Sequence, residues 1–241
     1  MQVLSDKLLT DFMHSFLGYG DLKSDVWFIG MEEGGGNDIA DIEKRLSAWK
    51  ELKKTRTVDL VEFHRLIDEG HRFDGENPKL QRTWAKLIRA QISFEKDRND
   101  VSVIETSSVR EFQSSRLGRE KSKTCLLELL PLPSPSTNVW HYSNFSALPI
   151  LQSRGQYTEE MVPKRIKMLQ NLIREHSPSQ VVFYGTSYAE HWANIIGEDL
   201  KWLDQRNNRS VNRIRSQTFH VTMHPTSHGV TNSMFESLLI K

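Results

Sequence analysis

The sequence predicts a three-layer α/β/α fold around a central, mainly parallel four-stranded sheet, and three observations carry that expectation. Four short runs are continuously apolar rather than alternating, the pattern of strands buried on both faces. Segments with helical spacing separate them. The length, 241 residues, suits one α/β domain.

In chain order, the first run is DVWFIG (25–30), followed by TCLLELL (124–130), QVVFYG (180–185) and TFHVTM (218–223). Between the first two, LQRTWAKLIRAQI (80–92) sets Leu80, Trp84, Leu87, Ile88 and Ile92 at helical spacing. EEMVPKRIKMLQNLIREH (159–176) does the same with Ile166, Leu169, Leu172 and Ile173. SYAEHWANIIG (187–197) ends on a glycine suited to a helix C-cap, and VTNSMFESLLI (230–240) reads as the last helix. Two stretches look inserted into a single domain of residues 1–241. Residues 38–69 form a charged helical pair, and residues 93–123 are polar with little periodicity.

Composition excludes several classes. No apolar run approaches the roughly 20 residues of a membrane-spanning helix. The start, MQVLSDKLLTDFMHSF, lacks a signal-peptide pattern. A single cysteine, Cys125, rules out a disulfide framework and cysteine-held zinc or iron–sulfur centres. A cytoplasmic monomer without cofactor is expected. Net charge is only +1, yet residues 201–217 carry five cations, Arg209 and Arg213 among them, against Asp204. Residues 110–123 are similarly basic. Each stretch reads either as a source of phosphate contacts or as a solvated surface.

Parallel sheets bind ligands at the carboxyl ends of their strands, which directs attention to the loops after Gly30, Leu130, Gly185 and Met223. The first, within FIGMEEGGG (28–36), lacks the spacing of a dinucleotide fingerprint or a P-loop, and its paired glutamates repel phosphate. Glu32, Glu33 and Asp38 are hard oxygen donors of the kind Mg²⁺ takes, but no further ligand supports a metal site, and none is expected. MHPTSHG (223–229) puts a proline where a strand would need a donor, so His224 reads either as a hydrogen-bonding residue or as part of an ordinary strand-to-helix turn. Glu128 sits among leucines. A carboxylate so placed needs a partner or a function.

Taken in order, GMEEG (30–34), VVFYGTSYAEHW (181–192) and HPTSH (224–228) resemble the uracil-DNA glycosylase superfamily over about residues 25–235. In that family a first-strand loop of Gly-x-(Asp/Asn/Glu)-x-Gly type carries the water-activating group. A late strand ends in His-Pro-Ser-Pro or a variant, which stabilises the leaving base and enters the minor groove. The resemblance therefore implies a DNA partner and a flipped nucleotide, with Gly30, Met31 and Gly34 lining its pocket. It puts Glu32 at the water-activating position, while Glu33 replaces the proline often found next, leaving open which carboxylate is the base. His224 would donate to the departing base as negative charge builds on it. Phe73 matches the aromatic that stacks on the flipped base, or is a core aromatic. Pro225, Thr226, Ser227, His228, Gly229 and Val230 form the DNA-facing loop, with the wedge among His228, Gly229 and Val230.

Glu128 departs from the family. Uracil-specific members carry an asparagine on this strand, and Asn138 lies in the loop beyond it as a further base contact. An ionised carboxylate only accepts hydrogen bonds, which suits the exocyclic amine of cytosine and not O4 of uracil. An enzyme removing plain cytosine would destroy its host genome, so the expected substrate is a modified cytosine, hydroxymethylated or glucosylated, in phage DNA. Three other readings stay open: a repair glycosylase for uracil or another deaminated base, a non-catalytic DNA-binding module of the same fold, and a phosphate- or metal-dependent hydrolase.

Overall fold

The computed structural model describes residues 4–96, 100, 102–206 and 208–238. In chain order its strands are β1 (Gly18–Gly20), β2 (Val26–Gly30), β3 (Thr57–Val58), β4 (Thr124–Glu128), β5 (Gln180–Tyr184), β6 (Arg209–Ile214) and β7 (Gln217–Thr222). They form one mixed sheet in the order β3-β1-β4-β2-β5-β7-β6. The four apolar runs are its middle strands, β4, β2, β5 and β7, each parallel to its neighbour. The expected four-stranded, mainly parallel sheet is thus corrected to seven strands of mixed direction. β1 and β6 run antiparallel to β4 and β7, and β3 pairs with β1.

The three unexpected strands lie toward the two edges of the sheet and carry weak signals. β1 is Gly-Tyr-Gly, a turn-like composition. Its glycines are required by contact, because a Cβ on Gly18 would lie 2.0 Å from the Leu126 carbonyl oxygen. β6 alternates, but its inward residues include the polar Ser210 and Asn212. Asn212 is satisfied by the Asp199 carbonyl at 2.9 Å and the Lys201 N–H at 3.2 Å, so polarity there is compatible with burial.

Eight α-helices lie among the described residues: α1 (Asp6–Ser15), α2 (Ile39–Glu51), α3 (Leu60–Leu66), α4 (Arg82–Glu95), α5 (Thr106–Ser115), α6 (Arg154–His176), α7 (Ala189–Ile196) and α8 (Asn232–Glu236). α4 starts where the Gln81 side chain accepts the Trp84 N–H, and it buries Leu87 and Ile88. α7 ends on Gly197 at φ 79°, the expected left-handed C-cap. Residues 38–69 hold the expected helical pair, α2 and α3, with β3 between them. Residues 93–123, expected to lack periodic structure, contain α5, whose buried Val109 and Phe112 are spaced i, i+3. Trp27 and Phe183 share one sheet face by register and meet His176 of α6 at 5.9 Å and Trp192 of α7 at 5.1 Å. His220 lies on the opposite face, 5.7 Å from Phe94 of α4. Helices therefore cover both faces of the central strands. No helix among the described residues is long and apolar enough to cross a membrane.

Candidate active site at the strand ends

The parallel strands point their carboxyl ends to one rim and fix the loops there. Beyond β2 and β4 the pairing continues, with Leu129 N–H on the Gly30 carbonyl at 2.8 Å and Leu130 N–H on Met31 at 2.7 Å. Ser134 N–H then holds the Glu33 carbonyl at 3.1 Å. Across β5 and β7, Gly185 N–H bonds the Thr222 carbonyl at 2.8 Å. Glu32, Glu33, Glu128, Tyr184 and His224 all sit at this rim.

Glu33 is fully engaged. Its Oε2 accepts the Tyr19 hydroxyl at 2.7 Å, and its Oε1 lies 3.1 Å from Arg45 Nη1 and 3.6 Å from His64 Nε2. Burial pushes its pKa up, but Arg45, His64 and Tyr19 outweigh that and hold it at about 2. Arg45 is itself anchored by Asp41 one turn earlier on α2, at 2.9 Å. Asp41 also accepts the Gly36 and Asn37 N–H groups, so these loop amides are satisfied internally. The glycine loop thereby takes on a different meaning. A Cβ on Gly35 would meet the Arg45 guanidinium at 2.5 Å, and one on Gly36 the Pro133 carbonyl oxygen at 2.7 Å. Both glycines let the backbone pack on its own protein, and only Gly34 faces open space.

Glu32 has one partner among the described residues. Both of its oxygens accept from Nη2 of Arg154, each at 2.7 Å, and Arg154 lies over the Trp140 ring. The carboxylate is 9% exposed. Burial raises its pKa, and Arg154 offsets this only in part. Of the two glutamates, Glu32 is therefore the stronger base and the one with lone pairs to spare. Tyr188, at the start of α7, lies within the field of both Glu32 and Arg154.

Glu128 ends β4 beside Gly30. Its Oε1 accepts the Tyr184 hydroxyl at 3.0 Å, while Oε2 is covered and has no partner among the described residues. Gly30 makes room for this pair, since a Cβ there would lie 2.3 Å from the Tyr184 oxygen and 2.4 Å from Glu128 Oε2. Burial, then repulsion from Glu33, raises the Glu128 pKa well above the ordinary 4.5, which favours the neutral form of the group. The strand end itself is fixed by buried Arg165, which donates to the carbonyls of Leu129, Phe16 and Glu128 at 2.8–2.9 Å. In its neutral form this carboxyl donates as well as accepts, a wider role than the acceptor-only one of the ionised group.

A stability prediction follows from that shift. The unfolded chain releases this proton near pH 4.5, whereas the folded chain keeps it to higher pH. Native stability from this group is complete below the unfolded value and is lost as pH rises through the folded one. Glu128→Gln, which keeps an acceptor for Tyr184, is expected to melt higher than wild type at about pH 8, with the gap closing near pH 4. Thermal melts across that range check it; a constant gap would contradict it.

His224 follows β7. Its Nδ1 accepts the Thr226 N–H at 3.3 Å and contacts the Thr226 hydroxyl at 3.0 Å, which assigns the hydrogen to Nε2. Nε2 has no partner among the described residues. Burial lowers the pKa, so the ring is a neutral donor. The Tyr184 ring, whose hydroxyl bonds Glu128, lies 5.7 Å away.

The remaining candidates divide. Phe73 is buried at 5% exposure, stacked on Trp84 at 5.6 Å and edge-on to His64, which places it in an aromatic cluster behind Glu33. Asn138 is exposed in the loop after β4. Residues 224–230 form successive turns, with Ser227 N–H on His224 and Val230 N–H on Ser227; Pro225 is buried while Thr226, His228 and Gly229 are exposed. Arg209 donates to the Leu238 carbonyl at 2.6 Å, a structural bond. Arg213 is exposed four positions down β6, roughly 13 Å from the rim at 3.3 Å per residue. In the other basic stretch Arg110, Arg116 and Arg119 are turned to Pro78, Glu95 and Asp59.

Asp38, proposed above as an oxygen donor, instead caps α2 through the Asp41 N–H. Among the described residues no three His, Cys, Asp or Glu side chains are grouped to hold a metal ion. Two surface clefts lie elsewhere. One of about 300 Å³ lies beside Ile92 and Phe112, and one of about 610 Å³ is lined by Gly20 and Asp59 at the opposite end of the sheet. Sequence reasoning missed Arg154, Tyr184, Arg45 and Tyr19. Of these only Arg45 carried a local signal, its i, i+4 spacing from Asp41. The chain matches no protein-family model and no curated protein.

Proposed function

We propose that the protein is a monofunctional DNA glycosylase of three-layer α/β/α architecture, which flips a base and hydrolyses its N-glycosidic bond. The observation that supports this best is the grouping at one rim of a basic carboxylate (Glu32), a buried neutral acid (Glu128) and a neutral histidine with a free Nε2–H (His224). Glycosidic hydrolysis builds positive charge on the sugar and negative charge on the departing base. Glu32 orients water and stabilises the first, and His224 donates to the second. Glu128 reads the base edge: its carbonyl accepts from N4–H of a cytosine while its O–H donates to N3. The substrate on this reading is a modified cytosine in foreign DNA, and the biological role is defence against phage. The neutral state of Glu128 also favours a second reading, because the same O–H donates to O4 of uracil.

Purified protein incubated with oligonucleotides carrying uracil, cytosine, 5-hydroxymethylcytosine or its glucosylated form, followed by cleavage of abasic sites, separates the readings. Strand breaks at a modified cytosine are expected. Release of uracil alone would replace the substrate by the second reading. Absence of abasic sites from every oligonucleotide would overturn the enzymatic proposal.

A further inference from the structure

We propose that Tyr184 is a positioning residue that commits the proton of Glu128 to Oε2, and so sets which base edge Glu128 accepts. This rests on the glycosylase reading for its consequence, though not for its geometry. Tyr184 is the last residue of β5; its hydroxyl meets Glu128 and its ring lies 5.7 Å from that of His224. Its hydroxyl donates to Glu128 Oε1, so that oxygen behaves as the carbonyl. Oε2, covered and without a partner among the described residues, is then the oxygen left to carry hydrogen, and it meets a base edge only once a base is admitted beside Gly30 at the root of the Glu32 loop. A carboxylic acid free to rotate presents donor and acceptor in either order and matches cytosine and uracil edges alike. With one oxygen pinned, the order is fixed. The tyrosine acts through Glu128 and need not touch the base.

The electrostatics agree. Of the groups facing Glu128, Glu33 and Glu32 from the β2 loop raise its pKa, and the Tyr184 hydroxyl and Arg165 of α6 lower it. Tyr19 of β1 lies in the same field. Deleting the hydroxyl therefore raises the Glu128 pKa further and leaves the proton free to sit on either oxygen.

Tyr184→Phe removes one oxygen atom and keeps the ring beside His224. Two measurements test it. In protein carrying ¹³C-labelled glutamate carboxyls, with Glu128→Gln identifying the signal, the Glu128 titration is expected to move to higher pH in Tyr184→Phe. On the oligonucleotides named above, the ratio of modified-cytosine to uracil release is expected to fall by about tenfold, the worth of one buried hydrogen bond. A lower melting temperature with both the titration and the ratio unchanged would overturn the proposal and leave Tyr184 a packing residue. A shifted titration in a protein that releases no base would support the positioning role and sink the glycosylase reading instead. Base release with an unchanged ratio and titration would do the reverse.

Discussion

Glu32→Gln is expected to lower base release by about 10²–10⁴-fold, the usual contribution of a general base, while the protein stays folded. The amide keeps the side chain's shape but removes the charge that orients water and stabilises an electron-deficient sugar. Glu33→Gln is expected to act differently. Glu33 holds Tyr19, Arg45 and His64 in place and, at about 2, is the weaker base of the two, so its loss acts on stability before chemistry. Single-turnover base release with each variant, on whichever oligonucleotide wild type cleaves, distinguishes the residues. Full activity in Glu32→Gln would remove Glu32 from the mechanism.

The pH profile carries a second signature of the same assignment. The Glu32 pKa is raised from 4.5, so a rate that needs the carboxylate falls off on the acid side at higher pH than an ordinary glutamate would dictate. Arg154 supplies both contributions that lower this value. Without them only burial remains, and in Arg154→Met the acid limb is expected to move further toward neutral pH. A limb that stays put would mean that another group controls it.

The central sheet was legible because burial on both faces writes an uninterrupted apolar run into each strand, and Phe28, Leu126, Val182 and Val221 all sit inside such runs. The edges were not, because β1 relies on glycines that fit against the Leu126 carbonyl and β6 on an inward asparagine satisfied by a distant loop. The same division runs through the site. Glu32, Glu128 and His224 announced themselves as polar residues at the ends of apolar strands. Their partners did not: Arg154 lies 122 positions from Glu32 and Tyr184 lies 56 from Glu128, separations at which no local pattern survives. Tyr184 was also hidden by type, since a tyrosine closing an apolar strand reads as core. Phe73 shows an ambiguity of the opposite kind, because the aromatic signal that suits a stacking residue is the same one that builds a core.

Arg45→Met is expected to cost about 3–5 kcal/mol, the effect of breaking a buried ion pair from one side. The Arg45 side chain is 10% exposed and bridges Glu33 at 3.1 Å and Asp41 at 2.9 Å, so its removal leaves two carboxylates facing each other across a gap. Glu33 suffers most, since Arg45 is the largest of the influences that hold its pKa down. Its folded pKa of about 2 lies below the ordinary 4.5, so its contribution to stability is full above about pH 4.5 and disappears as pH falls toward 2. In Arg45→Met that acid-dependent loss is expected to shrink, because the depression of the Glu33 pKa shrinks with it. Adding Glu33→Gln to Arg45→Met is expected to recover part of the stability, since it removes the carboxylate that the first change left uncompensated. Urea unfolding of the single and double variants at neutral pH and near pH 3 reads all three effects. If Arg45→Met unfolds within about 1 kcal/mol of wild type at neutral pH, the pair behaves as a surface salt bridge. In that case the rigidity of the Glu32–Glu33 loop must come from its backbone bonds to Leu130 and Ser134.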